Sequence, residues 1–120
     1  MPEFAAFISY AREDLFFAER VKRALEDHHL RVFQDLDELT PGESFRDEIS
    51  DALRKSQCMV LLVSKHAAAS KEVIAEVEVA VRLNLPIIPV VLDRAAVDEP
   101  NPLQDMIADK HFIYYLPDSR

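Results

Sequence analysis

The chain has 120 residues, the length of one domain, and its 14 basic against 22 acidic side chains leave a net charge of −8, which argues against general nucleic-acid binding and against attraction to anionic membranes. A hydrophobic fraction of 49% with 30% charged residues is a globular balance, and no apolar run approaches a membrane span. The single cysteine, Cys58, excludes an internal disulfide and a cysteine-based zinc site, while the single glycine, Gly42, excludes a P-loop or dinucleotide fingerprint, both of which need several glycines for backbone to approach phosphate.

In chain order, Phe4 to Ser9 is a short, nearly all-apolar run, as in a strand covered on both faces. Asp14 to His28 carries apolar residues at Phe17, Ala18, Val21, Ala24 and Leu25, a helical period. Leu30 to Phe33 reads as a second strand, and Gln34 to Glu43, acidic with a Pro-Gly pair, as a loop. Ser44 is placed to cap a second helix, with Asp47 three residues on and Phe45, Ile49, Ala52 and Leu53 as its buried stripe. Cys58 to Val63 is the strongest strand. Ser70 to Asn84 reads as a third helix stopped by Pro86, and Ile87 to Leu92 as a fourth strand. Pro89 within that strand withholds a ladder hydrogen bond and points to an end or edge position. Asp93 to Pro102 is the least structured stretch, Pro102 to Asp109 a short helix, and His111 to Tyr115 a fifth strand ended by Pro117.

Strand–helix alternation of this kind means parallel strands with helices on both faces. With five strands in 120 residues, a flavodoxin-like three-layer sandwich of order 2-1-3-4-5 is favoured over the Rossmann order. Ligands in such sheets sit beyond the carboxyl ends of the strands. Those places hold Ser9, Tyr10 and Arg12, then Asp35, then Ser64, Lys65 and His66, then Asp93. A phosphate-accepting receiver needs acids after strand one and an aspartate after strand three. Ser9-Tyr10 and Ser64 stand there instead. A flavin-phosphate loop rich in Ser, Thr and Gly is also missing after strand one.

These residues carry a resemblance. Phe7-Ile8-Ser9-Tyr10 with Arg12-Glu13-Asp14 resembles the first box of Toll/interleukin-1 receptor (TIR) domains. Val32-Phe33-Gln34-Asp35 leading to Leu39-Thr40-Pro41-Gly42-Glu43 is similar to the family's second strand and BB loop. Ile49 to Cys58 running into Val60-Leu61-Leu62-Val63-Ser64 resembles its helix B and third strand, and Pro86 to Val90 its fourth strand. The four pieces follow in order from Phe4 to Leu92, in the bacterial style. The resemblance implies one of two functions. Many bacterial, plant and axonal TIR domains are NAD⁺ glycohydrolases or cyclases; others are non-enzymatic adaptors associating through TIR–TIR contacts. The catalytic glutamate of the enzymes lies in the third helix, typically as Ser-x-Trp-x-x-x-Glu, which aligns Ser70 and Glu76 and puts Glu72 at the aromatic position.

At about 100° per residue, Val73, Val77, Ala80, Val81 and Ile74 form the apolar arc of that helix, with Glu76 just outside one edge and Glu72 a turn earlier on the same edge. Read from the helix alone, both are ordinary solvated residues; the resemblance singles out Glu76. Breaking the nicotinamide–ribose bond expels a neutral leaving group and builds positive charge on the ribose. One carboxylate therefore suits the chemistry, with NAD⁺ as substrate and neither metal nor cofactor required. The resemblance further assigns substrate contacts to Tyr10, Ala11 and Arg12 after strand one, to Asp35 and to Thr40. The plainer readings are a loop tyrosine, an arginine paired with Glu13 or Asp14, an Asx-type turn and a turn residue before Pro41.

Asp35, Asp37 and Glu38 lack calcium-loop spacing and read as a solvated loop. His28 and His29 sit at a helix end, where positive charge is favoured. Cys58 reads as an inert core residue, and His66, at the strand-three end, is more readily an ordinary residue than a lining of the site. The expected partners are NAD⁺ and a second TIR domain, met through the BB loop Leu36 to Glu43, with no nucleic acid and no membrane bound by this domain. A cytoplasmic location fits the single cysteine and the lack of a signal-peptide pattern in MPEFAAFISYARED. Because a flavodoxin-like domain usually carries one more helix after strand five, residues 1–120 are expected to be a single domain forming the N-terminal part of a longer protein.

Overall fold

The computed structural model describes residues 2–34 and 43–115, with side chains described over 2–34 and 48–115. Five parallel strands form one sheet in the order β2-β1-β3-β4-β5: β1 (Ala6–Ser9), β2 (Val32–Gln34), β3 (Met59–Val63), β4 (Ile87–Val91) and β5 (Ile113–Tyr114). The helices are α1 (Leu15–Asp27), α2 (Glu43–Arg54), α3 (Lys65–Ala68), α4 (Lys71–Arg82), α5 (Ala95–Asp98) and α6 (Pro102–Ile107), with a 3₁₀ turn at Arg12–Asp14. The expected fold class and strand order are those observed. No helix among the described residues is long and apolar enough to cross a membrane.

The pleat of β1 divides the core. Phe7 and Ala11 join Leu53, Met59, Leu61, Val63, Val73, Val77, Leu103 and Ile107 on the face covered by α2, α4 and α6. Ile8 and Tyr10 join Ala18, Val32, Val60, Leu62 and Val90 on the face covered by α1. Register is fixed by Phe7 opposite both Phe33 and Met59, and by Leu61 opposite Pro89. A slip of one residue would exchange the two faces, so the buried apolar pattern on both sides holds it.

Several boundaries differ from the sequence reading, each for a local reason. Gln34 closes β2 instead of opening the loop, because it pairs with Ile8 and its side chain bonds to Tyr10. α2 begins at Glu43, one residue before Ser44, whose side chain, like those of Phe45 and Asp47, lies outside the described residues. The third helix is found as α4 with Ser70 as its cap, and a further short helix, α3, precedes it with Ser64 as its cap, each hydroxyl accepting a backbone N–H three residues on. The Asp93 to Pro102 stretch is more ordered than expected, since Asp93 accepts from Ala95 N–H and Asn101 accepts from Gln104 N–H.

Pro89 lies in the middle of an inner strand. The Leu92 N–H bonds to the Val63 carbonyl, so alternation turns residue 89 towards β5, and β5 pairs only from Val90 onward. The missing hydrogen thus faces a stretch without a strand partner, a local edge inside the sheet.

The scarcity of glycine leaves a mark at helix ends. His29 and Asn84 adopt left-handed backbone, with φ of 62° and 55°, each just past the residue that caps the C-terminus of α1 or α4. Each is followed by a closing bond, Leu30 N–H to Leu25 O and Leu85 N–H to Ala80 O. Glycine usually fills such positions; a residue with a Cβ holds them at a cost of about 1 kcal/mol.

Candidate active site

Ser9 is the last residue of β1 and shares the Phe7 side of its pleat, so its hydroxyl faces the layer that holds α4. It donates a hydrogen bond to Glu76 Oε1 at 2.6 Å, and both side chains are buried, Glu76 being only 4% exposed. An ionised carboxylate is costly to bury without a donor, and Ser9 supplies one from an element 67 residues away in the chain. The buried face of α4 is Val73, Glu76, Val77 and Ala80, whereas Ile74 is half-buried and Val81 is 45% exposed. The helix is therefore rolled by roughly 50° from the orientation that its apolar residues alone predict, at ~100° per residue. That roll carries Glu76 from the edge of the buried arc into it and leaves Glu72 exposed.

Glu76 also lines a groove of about 720 Å³ between α2 and α4, within the size range of small-molecule sites. Ile49 and Ser50 form the α2 wall; Glu72 and Arg82 lie along the α4 wall. Of the described charged side chains lining the groove, Glu76 alone is buried.

The residues after β1 diverge. Tyr10 packs on the α1 face with Ile8, Ala18 and Leu62, and its hydroxyl accepts from Gln34 Nε2 at 3.1 Å. Ala11 is buried on the Glu76 face, and Arg12 is exposed at the start of the 3₁₀ turn. β1 thus brings Ser9 and Ala11 to the Glu76 layer and turns the Tyr10 ring to the other one. Asp35 and Thr40, the rest of the loop 35–42, and the acids Asp37 and Glu38 lie outside the described residues.

A second buried polar link braces this loop. Ser64, just past β3, donates to Asp14 Oδ2 and accepts from Ala67 N–H as the cap of α3. The turn after β1 is thereby tied to the helix start after β3. Replacing Ser64 by alanine removes both bonds and strands a buried carboxylate, so unfolding free energy should fall by ~1–3 kcal/mol. Urea denaturation checks this, and a loss below ~0.5 kcal/mol would mean the link carries no weight.

His66 stands beside that brace, but it is exposed and 3.8 Å from the equally exposed Glu13, a pairing of little energetic consequence. Cys58 is partly buried, donates weakly to Ala5 O at 3.4 Å, and its thiol is pushed up by burial, which keeps it unreactive. His28 and His29 are exposed at the end of α1. Among the described residues no group of three or more His, Cys, Asp and Glu side chains is arranged to hold a metal ion.

A flavodoxin-like sheet with a carboxylate held at its carboxyl edge is the class of domain these features define. The family model described as "TIR domain" matches residues 6–118, and the chain belongs to that family. Solved structures agree on the fold. The chain is similar to the TIR domains of the activated Roq1 resistosome directly recognizing the pathogen effector XopQ, with 23% identity over 88% of this chain and 69% of that one, at a TM-score of 0.66. It is similar to the TIR domain of the Toll-related receptor TRR-2 from Hydra magnipapillata, with 19% identity over 93% and 84%, at a TM-score of 0.73. It also matches a metazoan TIR-STING receptor from C. gigas, with 28% identity over 88% of this chain but 36% of that one, at a TM-score of 0.70. No curated protein matches.

Proposed function

We propose that this TIR domain cleaves the nicotinamide–ribose bond of NAD⁺, releasing nicotinamide and linear or cyclic ADP-ribose, with Glu76 as the catalytic residue. The observation that carries this reading is a buried carboxylate, gripped by Ser9 at the carboxyl end of β1, on the wall of a ligand-sized groove between α2 and α4. As the C–N bond breaks, the electron pair leaves with neutral nicotinamide and the ribose becomes cation-like. A fixed negative charge against the ribose stabilises that state more than the ground state. Water completes hydrolysis; an internal nucleophile of the released ADP-ribosyl group completes cyclisation. No cofactor beyond the substrate is needed.

In this reading Arg12 meets the phosphates from the exposed rim and Ala11, on the Glu76 face, borders the substrate, while any part played by Tyr10 is through its backbone, since its ring is buried on the α1 face. Asp35 and Thr40 complete the substrate contacts. The loop Leu36 to Glu43 joins one copy to the next, so the assembled form is the active one. A role in immune signalling draws on relatives described as a resistosome that recognizes a pathogen effector and as a TIR-STING receptor; the bacterial style and cytoplasmic location are proposed from the sequence.

Nicotinamide release from NAD⁺, measured over a wide range of protein concentration, tests the proposal. Activity per mole is expected to rise with concentration or crowding. A flat specific activity would count against assembly as the trigger. The second reading, an adaptor that associates without hydrolysis, draws on Glu72, which stands exposed where enzymatic relatives carry an aromatic ring. No release even from the assembled form would favour it.

A further inference from the structure

The Ser9–Glu76 bond has a consequence for the carboxylate that reaches beyond packing. Ser9 is fully buried and ends β1, whose backbone is fixed on both sides by β2 and β3. Its hydroxyl therefore has little freedom, and it donates to one named oxygen, Glu76 Oε1, at 2.6 Å. Burial penalises the charged form of a carboxylic acid, while a donor hydrogen bond favours it. We infer that Ser9 is a positioning residue that holds the Glu76 carboxylate in one orientation and keeps it ionised inside the sheet-facing layer. This rests on the NAD⁺-cleaving role of Glu76 proposed above and assigns Ser9 a part in it.

Ser9 is one of the groups that Glu76 meets, and Arg12, exposed just past β1, is a charged neighbour of the strand end. On α4 itself the charged residues lining the groove are Lys71, Glu72, Glu78 and Arg82. α2 contributes the uncharged Ile49 and Ser50 to the groove, and its Glu48, Asp51 and Arg54 are exposed. The side chains of Glu43, Arg46 and Asp47 lie outside the described residues. α3 carries Lys65 and His66 and α6 carries Asp105, all exposed. None of these is altered by a substitution at Ser9, so their influence is common to parent and variant.

The test is Ser9→Ala, which removes one oxygen and creates no bulk. Glu76 is titrated by carbon-13 NMR in the parent and in the variant, its resonance identified by its loss in Glu76→Gln. The pH dependence of nicotinamide release is measured beside it. Losing the donor should raise the Glu76 midpoint by about one pH unit, and the acid limb of the rate profile should move up with it. A purely structural role would lower the amount of folded protein and leave both midpoints in place. An unmoved midpoint overturns the role of Ser9, while Glu76→Gln decides the cleavage reaction separately. If the parent releases no nicotinamide, the cleavage reading falls and the titration alone still decides whether Ser9 governs this carboxylate.

Discussion

Replacing Glu76 by glutamine is expected to slow nicotinamide release from NAD⁺ by about a hundredfold to a thousandfold, the loss typical of one electrostatic contact made to a transition state. The exchange is close to isosteric. The glutamine carbonyl still accepts from the Ser9 hydroxyl that now bonds to Glu76 Oε1, so that buried bond is kept. What disappears is the charge. A neutral amide cannot offset the positive charge that grows on the ribose ring as nicotinamide departs, and the effect should appear in kcat more than in KM. Glu72 offers the control: it lies a turn earlier on the same helix, is exposed, and lines the same groove. Glu72→Gln should change the rate by only a few-fold, since exposed charges interact weakly through water. Equal rates in Glu76→Gln and the parent would sink the assignment of the carboxylate, whatever the groove binds.

The largest expected effect on stability lies at Phe7. This ring is fully buried in the middle of β1, stacks on Phe33 with centroids 5.3 Å apart and planes at 17°, and shares its cluster with Leu53, Met59 and Leu61. Phe33 in turn meets Phe4 edge-on at 5.4 Å, so Phe7→Ala opens a cavity and unsettles a row of three rings. The loss should be about 3–5 kcal/mol, a large share of the 5–15 kcal/mol available to a domain. Phe16 is the contrast: it is 63% exposed on α1, and Arg20 sits over its ring at 5.4 Å. Phe16→Ala should stay within about 0.5 kcal/mol. Guanidinium denaturation of the three proteins measures both differences, and a Phe7→Ala midpoint close to the parent's would mean that β1 is not central to the core.

Much of the architecture was legible because it rests on local pattern. Short apolar runs at Phe4 to Ser9 and Cys58 to Val63, separated by helical periods, left few topologies open, and the observed strand order is the one expected. Where the reading fell short, the deciding contact was distant. Val81 is apolar and in phase with Val73 and Val77, yet it is exposed, because the roll of α4 follows the docking of the whole helix and not its apolar residues alone. Glu76 was placed at the rim and is in fact inside, for its partner Ser9 belongs to a strand far away in sequence. Ser9 stood among the strand-end residues but drew no role, since a serine after an apolar run carries no signal of what it will face. The roles given to Asp35 and Thr40 came from family resemblance, and both lie outside the described residues.

The burial of Ser9 and Glu76 as a pair bears on how easily such a domain changes its trade. Removing one partner leaves a polar group stranded in the interior, which destabilises; exchanging both for apolar side chains of similar shape can be nearly neutral. The residues that aim β1, Phe7 on one side and Ile8 on the other, take no part in that exchange. Once the pair is lost together, selection for folding gives no pressure to restore it. On the proposed role of Glu76, losing the pair together would leave a stable scaffold without the reaction, and regaining the reaction would require a serine and a glutamate to reappear at the same time.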